Sequence, residues 1–433
     1  MSGLVRIVGA VPPEGSDDWR AIFDRSTSRD EAIRGRTAAI LERVRLEGDV
    51  ALRAMAREFD GATLEHLEVP RTEWRRALDT LDPALRRALE RAAANIREVH
   101  TAFLPSAREC RTQDGVTVWR RPDPLGRVGV YAPGGRATYP SSLLMGAVPA
   151  RVAGVGEVIV CSPPDASGRP SAVLLAAAEL AAVHRVFAIG GAGAVAAMAF
   201  GTASVPAVDR IVGPGNAYVA EAKLQVAGSC AIDSPAGPSE LLVLADDSAD
   251  PAVVIAEMLA QAEHDPLASV VLVTWSPALA AAVEAGLGPA VARAARGAIA
   301  RDAFGARGAI LVVAHEAEGL AIGTAYAAEH ALVICADAEG VASRLRNAGT
   351  IFVGPSSSVA FGDYMTGANH VLPTGGLARS YSGLSTLDFV RWTTVQRVPV
   401  ESARAMAESV GVFADAEGLP AHAAAARQWG ERR

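Results

Sequence analysis

The sequence predicts an α/β protein of two doubly wound, Rossmann-like domains with smaller N-terminal and C-terminal extensions. Half of the 433 residues are hydrophobic but only 5% are aromatic, the usage of proteins whose small-residue helices lie close on parallel sheets. Short apolar runs closed by Gly or Pro alternate with helical stretches, which is the grammar of βαβ units. That alternation comes in two successive series, in a chain long enough for two or three domains.

Residues 16 to 104 precede the alternation and read as helices. In "DEAIRGRTAAILERVRLEGDVALRAMAREFD" and "RTEWRRALDTLDPALRRALERAAANIREVHTAF" apolar residues recur every three or four positions among many charges. The pattern then switches to period two around Asp114-Gly115, which predicts a hairpin. The first series has strands "GEVIVCSPP", "HRVFAIGG" and "VDRIVGPGN" with helices "PSAVLLAAAELAAV", "AGAVAAMAFG" and "AYVAEAKLQVAG" between and after them. The second runs through "ELLVLAD", "SVVLVTW", "AILVVAH", "ALVICAD" and "TIFVG", and the change of series is expected at "DSPAGPSE", residues 233 to 240. After Gly354 comes "PSSSVAFGDYMTGANHVLPTGGLARSYSG", a long polar segment without a clean period, which in a compact protein marks a binding loop. The last 50 residues read as a helical piece and a polar tail.

The net charge is -7 with the basic residues scattered, so no electrostatic footprint for nucleic acid is expected. Cys110, Cys161, Cys230 and Cys335 lie far apart without a C-x-x-C pair; free, mostly buried thiols in a reducing compartment follow. The N-terminus has acids and prolines where a signal peptide carries an apolar core, so a cytoplasmic protein is expected. Val186 to Val208 is uncharged, but its glycines and Pro206 favour a buried strand, turn and helix over a membrane span.

The chemistry-bearing residues are few. Gly191-x-Gly193-x-x-Ala196 follows a strand and opens a helix, a turn that lets a phosphate approach. The acidic residue that would hold a ribose is not at a convincing distance, and tight packing explains the glycines equally well. "VYAPGGRATYPSS" and "IVGPGNAYV" are two more such turns, so together they predict a shared ligand edge. The tripeptide A-E-H occurs twice among only eight histidines. In "QAEHD", Gln261 and His264 are three apart near a helix end and can share a face toward a metal. Further ligand candidates are Asp363 and His370 in the irregular loop and His422 in the tail. In the second copy Glu329 and His330 are adjacent, poor partners on one metal but able to serve as two proton-transfer groups. Locally, a solvated helix end explains that copy better. His66, His100, His184 and His315 are expected to be structural.

The strings "RVGVYAPGG", "VGPGNAYVAEAK", "AIDSPAGPSE", "QAEHD", "AAEH", "GDYMTGANHVLPTGG", "YSGLSTLDF", "TTVQRV" and "EGLPAH", in this order over most of the chain, resemble the histidinol dehydrogenase family. The resemblance implies a cytoplasmic, NAD-linked enzyme with one zinc per subunit that oxidises L-histidinol to L-histidine in two steps, the last of histidine biosynthesis. It implies Gln261, His264, Asp363 and His422 as zinc ligands, His330 as the base that removes the alcohol proton, and Glu329 as the group that activates water. Ser239 and Glu417, with Gln261, His264, His330, Asp363 and His422, would contact the substrate, and Tyr131, Gly193 and Asn216 would lie at NAD. The family usually has Gln where this chain has Gly193, so weaker NAD binding is expected. The tail would cross to a second subunit, giving a homodimer with shared sites; neither nucleic acid nor membrane is implied.

The expected organisation is an N-terminal extension over 1–24 and a discontinuous first domain of 25–130 plus 239–384 carrying the metal and acid–base residues. A second domain over 131–238 faces NAD, and a helical tail spans 385–433. Two alternatives are a related dehydrogenase of another small alcohol, such as a sulfonated diol, and a non-catalytic nucleotide- or metal-binding relative. Retention of Glu329, His330 and all four ligand candidates weighs against the latter.

Overall fold

Two parallel sheets with the same strand order organise the chain, in a computed structural model that describes residues 4–9, 12–25, 30–112, 115–134 and 138–431. The first series forms a five-stranded sheet from Arg127–Tyr131, Glu157–Ser162, Arg185–Ala188, Arg210–Val212 and Ala231–Ile232. Numbered along the series, its spatial order is 3-2-1-4-5. The second series, Glu240–Ala245, Ser269–Thr274, Gly308–Val312, His330–Ile334 and Thr350–Val353, repeats the order 3-2-1-4-5. Every pairing in both sheets is parallel. Glu240–Ala245 and Ser269–Thr274 are buried at every position, because helices cover both faces; this is why they read as unbroken apolar runs rather than alternating ones. The chain crosses from sheet to sheet between Ile232 and Glu240.

The order reverses between strands 1 and 4 of each sheet, leaving a crevice at the sheet's edge where helices diverge. In the five-stranded sheet it falls between Arg127–Tyr131 and Arg210–Val212; in the six-stranded sheet it falls between Glu240–Ala245 and His330–Ile334.

Three assignments differ from the sequence reading. The helices of residues 31–102, expected with the metal-bearing domain, share the hydrophobic core of the five-stranded sheet instead. Glu31–Glu47 packs on Gly191–Phe200, Arg71–Asp79 on Ala172–Leu180, and Pro83–Ala102 on Pro140–Val152. An amphipathic period tells that a helix has an apolar face but not which sheet that face covers. A boundary at residue 130 would also cut the strand Arg127–Tyr131. The N-terminal extension is partly absorbed, since Arg6–Val8 pairs beside Gly308–Val312 as a sixth, edge strand. The tail opens with a strand, Val390–Arg397, antiparallel to Thr117–Pro124, which in turn pairs with Arg108–Arg111. This last pair is the expected hairpin; Gly115 takes a positive φ of 76°, and Asp114 lies outside the described residues.

The tail ends in helices Val400–Ala416 and Pro420–Glu431, packed mainly on each other. Among the described residues no helix is long and apolar enough to cross a membrane. The uncharged stretch from Val186 is the strand Arg185–Ala188, the buried helix Gly191–Phe200 and a loop. Of the four free cysteines only Cys110 is exposed.

Candidate active site

The amino ends of the six-stranded sheet gather buried charge. Helix Glu316–Tyr326 stops at Ala327, which turns left-handed at φ 53°, so Glu329 and His330 do not close a helix as expected: His330 opens the strand His330–Ile334. Both side chains are buried rather than solvated, at 6% and 4% exposure. Pairing with Glu240–Ala245 brings the two strand starts together. Glu329 Oε2 accepts the backbone N–H of Glu240 at 2.7 Å, and His330 Nδ1 lies 3.1 Å from the Glu240 carbonyl oxygen and 3.5 Å from Glu329 Oε2. A carbonyl only accepts, so Nδ1 carries a proton, and Nε2 is the nitrogen that gains or loses one as the ring titrates. Nε2 is buried without a hydrogen-bond partner among the described residues, and Asp363 Oδ1 stands 3.8 Å from it.

Burial disfavours the charged form of His330, but the Glu329 carboxylate, and after it Asp363 and the Glu240 carbonyl, outweigh burial and raise the imidazole to about 9. Burial lowers His370, against the pull of Asp363. His370 Nδ1 lies 2.9 Å from the Asp363 carbonyl oxygen, and its Nε2 lies 3.4 Å from Ser142 Oγ. His370 thus holds the backbone of Asp363 against a helix of the other sheet.

Glu240, Arg25 and Tyr326 escaped the sequence reading. Arg25 Nε sits 3.2 Å from Glu240 Oε1, with both side chains 2% exposed, and its guanidinium lies over the Tyr326 ring at 3.5 Å. The Tyr326 hydroxyl meets Ser269 Oγ at 2.8 Å, and the Gly375 N–H donates to Glu240 Oε1 at 2.7 Å. A signal was present: in "ELLVLAD" a charge opens a run that is otherwise wholly apolar, and a buried charge needs a partner.

The presumed ligands Gln261 and Asp363 lie on two helices that touch. The Val359 N–H donates to Glu257 Oε2 at 3.1 Å, tying helix Val359–Tyr364 to helix Pro251–Ala262. Gln261, 3% exposed, lies one turn beyond Glu257, and Asp363 one turn beyond Val359. Tyr364 feels the charges of both Asp363 and Glu263, as helices running the same way require. His264 is exposed just past the end of its helix, while His422 and Glu417 are exposed on the tail. Among the described residues no three or more His, Cys, Asp or Glu side chains gather as a metal site. The imidazole, carboxylate and amide oxygen that these residues carry are nevertheless donor types that suit zinc. Ser239 is half-buried at the strand entrance, its carbonyl accepting the Ser269 N–H at 3.0 Å.

The carboxyl ends of the five-stranded sheet are built differently. Tyr131 ends strand 1, buried, and its hydroxyl accepts the Gly191 N–H at 3.1 Å; burial, the largest influence, pushes the phenol up to about 12. After strand 4, Gly213 has φ 115°, and a Cβ there would collide with the Tyr131 carbonyl, so only glycine lets these two turns touch. Asn216 then caps helix Ala217–Val226 through the N–H groups of Tyr218 and Val219. At Gly191 a Cβ would meet nothing within 4 Å, leaving open space at the start of a ten-residue helix, a cradle that fits a dinucleotide phosphate. Gly193 differs from what its motif suggested: it is buried, and a Cβ there would lie 3.1 Å from Met55 Sδ and 3.5 Å from Leu52. It faces helix Asp49–Phe59 rather than the open edge.

Comparisons with known proteins agree with the motif order. The family model described as histidinol dehydrogenase matches residues 23–429. The histidinol dehydrogenase of Natronomonas pharaonis is 48% identical over 418 residues, covering 96% of this chain and 98% of the relative. That of Halobacterium salinarum is 47% identical over 420 residues, covering 96% and 97%. The crystal structure of the histidinol dehydrogenase from Elizabethkingia anophelis superposes with a TM-score of 0.94 at 32% identity, covering 100% of this chain and 99% of that one. The chain belongs to the histidinol dehydrogenase family, whose members are NAD-dependent oxidoreductases.

Proposed function

We propose that the two strand starts of the six-stranded sheet carry the proton transfers in the oxidation of L-histidinol, through bound L-histidinaldehyde, to L-histidine. The observation that carries this reading is His330 Nε2, buried without a hydrogen-bond partner among the described residues, with Nδ1 turned to the Glu240 carbonyl and Glu329 and Asp363 beside the ring. His330 takes the alcohol proton as hydride leaves the carbon. His330 then releases that proton to solvent, Glu329 deprotonates the water that adds to the aldehyde, and His330 takes the hydroxyl proton of the hydrate as the second hydride leaves. NAD, when bound, accepts one hydride in each step.

Gln261, His264, Asp363 and His422 would hold zinc, which would supply a Lewis-acidic anchor for the substrate nitrogens. Zinc held at Asp363 would offset one of the charges that raise His330. Ser239 and Glu417 would contact the substrate, and Tyr131 and Asn216 frame the NAD edge. The exposed positions of His422 and Glu417, beside exposed Val410, Val412 and Phe413, support a homodimer in which each tail completes the partner's site. The buried thiols suit a reducing cytoplasm.

The test is NADH formed per L-histidinol consumed, with zinc and excess NAD. Two per substrate is expected; one, with aldehyde released, would remove Glu329 from its role, and none would overturn the substrate. A mixed dimer of one His422→Ala and one His330→Ala chain tests the sharing: one site intact if tails cross, none if they do not.

A further inference from the structure

The fingerprint for a dinucleotide includes an acid for the adenosine ribose, and the downstream candidate, Asp209, precedes the strand Arg210–Val212 and accepts the Arg127 N–H at 2.8 Å instead. The fold supplies one from upstream. Helix Asp49–Phe59 runs antiparallel to helix Gly191–Phe200. At one end Asp49 accepts the N–H of Ser204 at 3.3 Å, and in the middle Met55 meets Gly193. The far end, Asp60, therefore reaches the level of the Gly190-Gly191 turn. A second contact fixes the same placement. The Val69 N–H donates to the Val186 carbonyl and the Ala188 N–H to the Leu67 carbonyl, both at 2.8 Å, an antiparallel match centred on Glu68 and Phe187. Chain preceding Leu67 thus lies beyond the carboxyl end of strand Arg185–Ala188, at the sheet edge that bears the glycine turn. Asp60 is near enough to Tyr131 to act on its hydroxyl electrostatically, and that hydroxyl holds the Gly191 N–H.

The Asp60 carboxylate has no hydrogen-bond donor or cation among the described residues, and burial raises it to about 6. A half-buried carboxylate left unpaired pays desolvation without return unless something else engages it.

We infer that Asp60 accepts hydrogen bonds from the vicinal diol of the adenosine ribose of NAD, and so rejects the 2′-phosphate of NADP by charge. This rests on the reading that NAD occupies the carboxyl edge of the five-stranded sheet. A carboxylate suits a diol, which donates two hydrogen bonds, and repels a phosphate ester at the same oxygen. It also explains how the chain can lack a side chain at Gly193 and keep a cofactor preference: the discriminating group sits on a different helix.

The experiment compares kcat/KM for NAD and NADP in the zinc-loaded wild type, Asp60→Asn, Asp60→Ser and Asn216→Ala. In the Asp60 variants the NAD-to-NADP ratio should fall about tenfold to a hundredfold, with NAD weakened and NADP improved, while KM for L-histidinol stays put. Opposite movement of the two cofactors is something a structural loss cannot produce. An unchanged ratio in both folded Asp60 variants, with Asn216→Ala raising KM for NAD, overturns the ribose assignment alone. If Asn216→Ala also leaves KM for NAD unchanged, the placement of the cofactor on this edge fails with it.

Discussion

The two sheets share one strand order and differ in what lines their opposite edges. The five-stranded sheet offers the carboxyl ends of its strands, where ligands of open parallel sheets ordinarily bind: glycine turns, helix starts at Gly191 and Ala217, and backbone N–H groups. The six-stranded sheet offers its amino ends, where Glu240, Glu329 and His330 stand at the starts of neighbouring strands with Arg25 beneath them. A backbone-lined edge recognises phosphates without titrating. A side-chain-lined edge can hold and move protons, and it must bury charge to do so. The difference teaches that equal topology leaves chemistry open: which end of the strands is lined with charge decides what a sheet does.

The sharpest way to break the comparison is to remove the acceptor on the amino edge. His330→Ala should lower kcat by about a hundredfold to ten-thousandfold, in the range of a lost general base, measured as NADH formation at saturating L-histidinol. A fall of only a few-fold would mean that the amino edge does not move the proton. The buried charge comes next. Glu240→Ala leaves Arg25 buried without its carboxylate and should destabilise the fold by about 3–5 kcal/mol, read from denaturant unfolding; a near-neutral change would show that the pair is not holding the strand starts together.

On the other edge, Gly193→Gln sharpens the account. The family's usual Gln suggests a cofactor contact, but here the new side chain would press on Met55, so a cost of about 1–3 kcal/mol in stability is expected. Met55→Ala in the same chain should recover part of it. Tighter NADH binding with no loss of stability would return Gly193 to the cofactor site. The smallest effect lies under the same sheet. His100 is 3% exposed with both ring nitrogens unpartnered among the described residues, and burial lowers it from its ordinary 6.5. Below 6.5 the unfolded chain takes a proton that the folded chain refuses. Stability therefore falls with falling pH, by about 1.4 kcal/mol per unit at most, until the lowered native value is passed. His100→Leu should flatten that slope.

Much of the fold was legible because its signals are local. "ELLVLAD" and "SVVLVTW" could be read as covered parallel strands, and Gly or Pro turns marked their ends. The second A-E-H was misplaced because Ala327 ends its helix left-handed with no glycine to announce it. The site was harder still. Spacing joined Gln261 to His264, but the helix of Asp363 meets theirs through the Glu257 tie to Val359, 102 residues away along the chain, and the ligand set came from resemblance rather than spacing. Asp60 was invisible because its neighbours at Gly191 are 131 residues away along the chain, brought close by helix packing.

The division of labour between the two edges is tested most directly by NADH binding, followed by its fluorescence, in His330→Gln and Asn216→Ala without L-histidinol. His330→Gln should bind NADH as the wild type does while failing to turn over, and Asn216→Ala should bind it several-fold more weakly. Equal loss of NADH affinity in both variants would contradict the account, since the two edges would then not be separate sites of recognition and proton transfer.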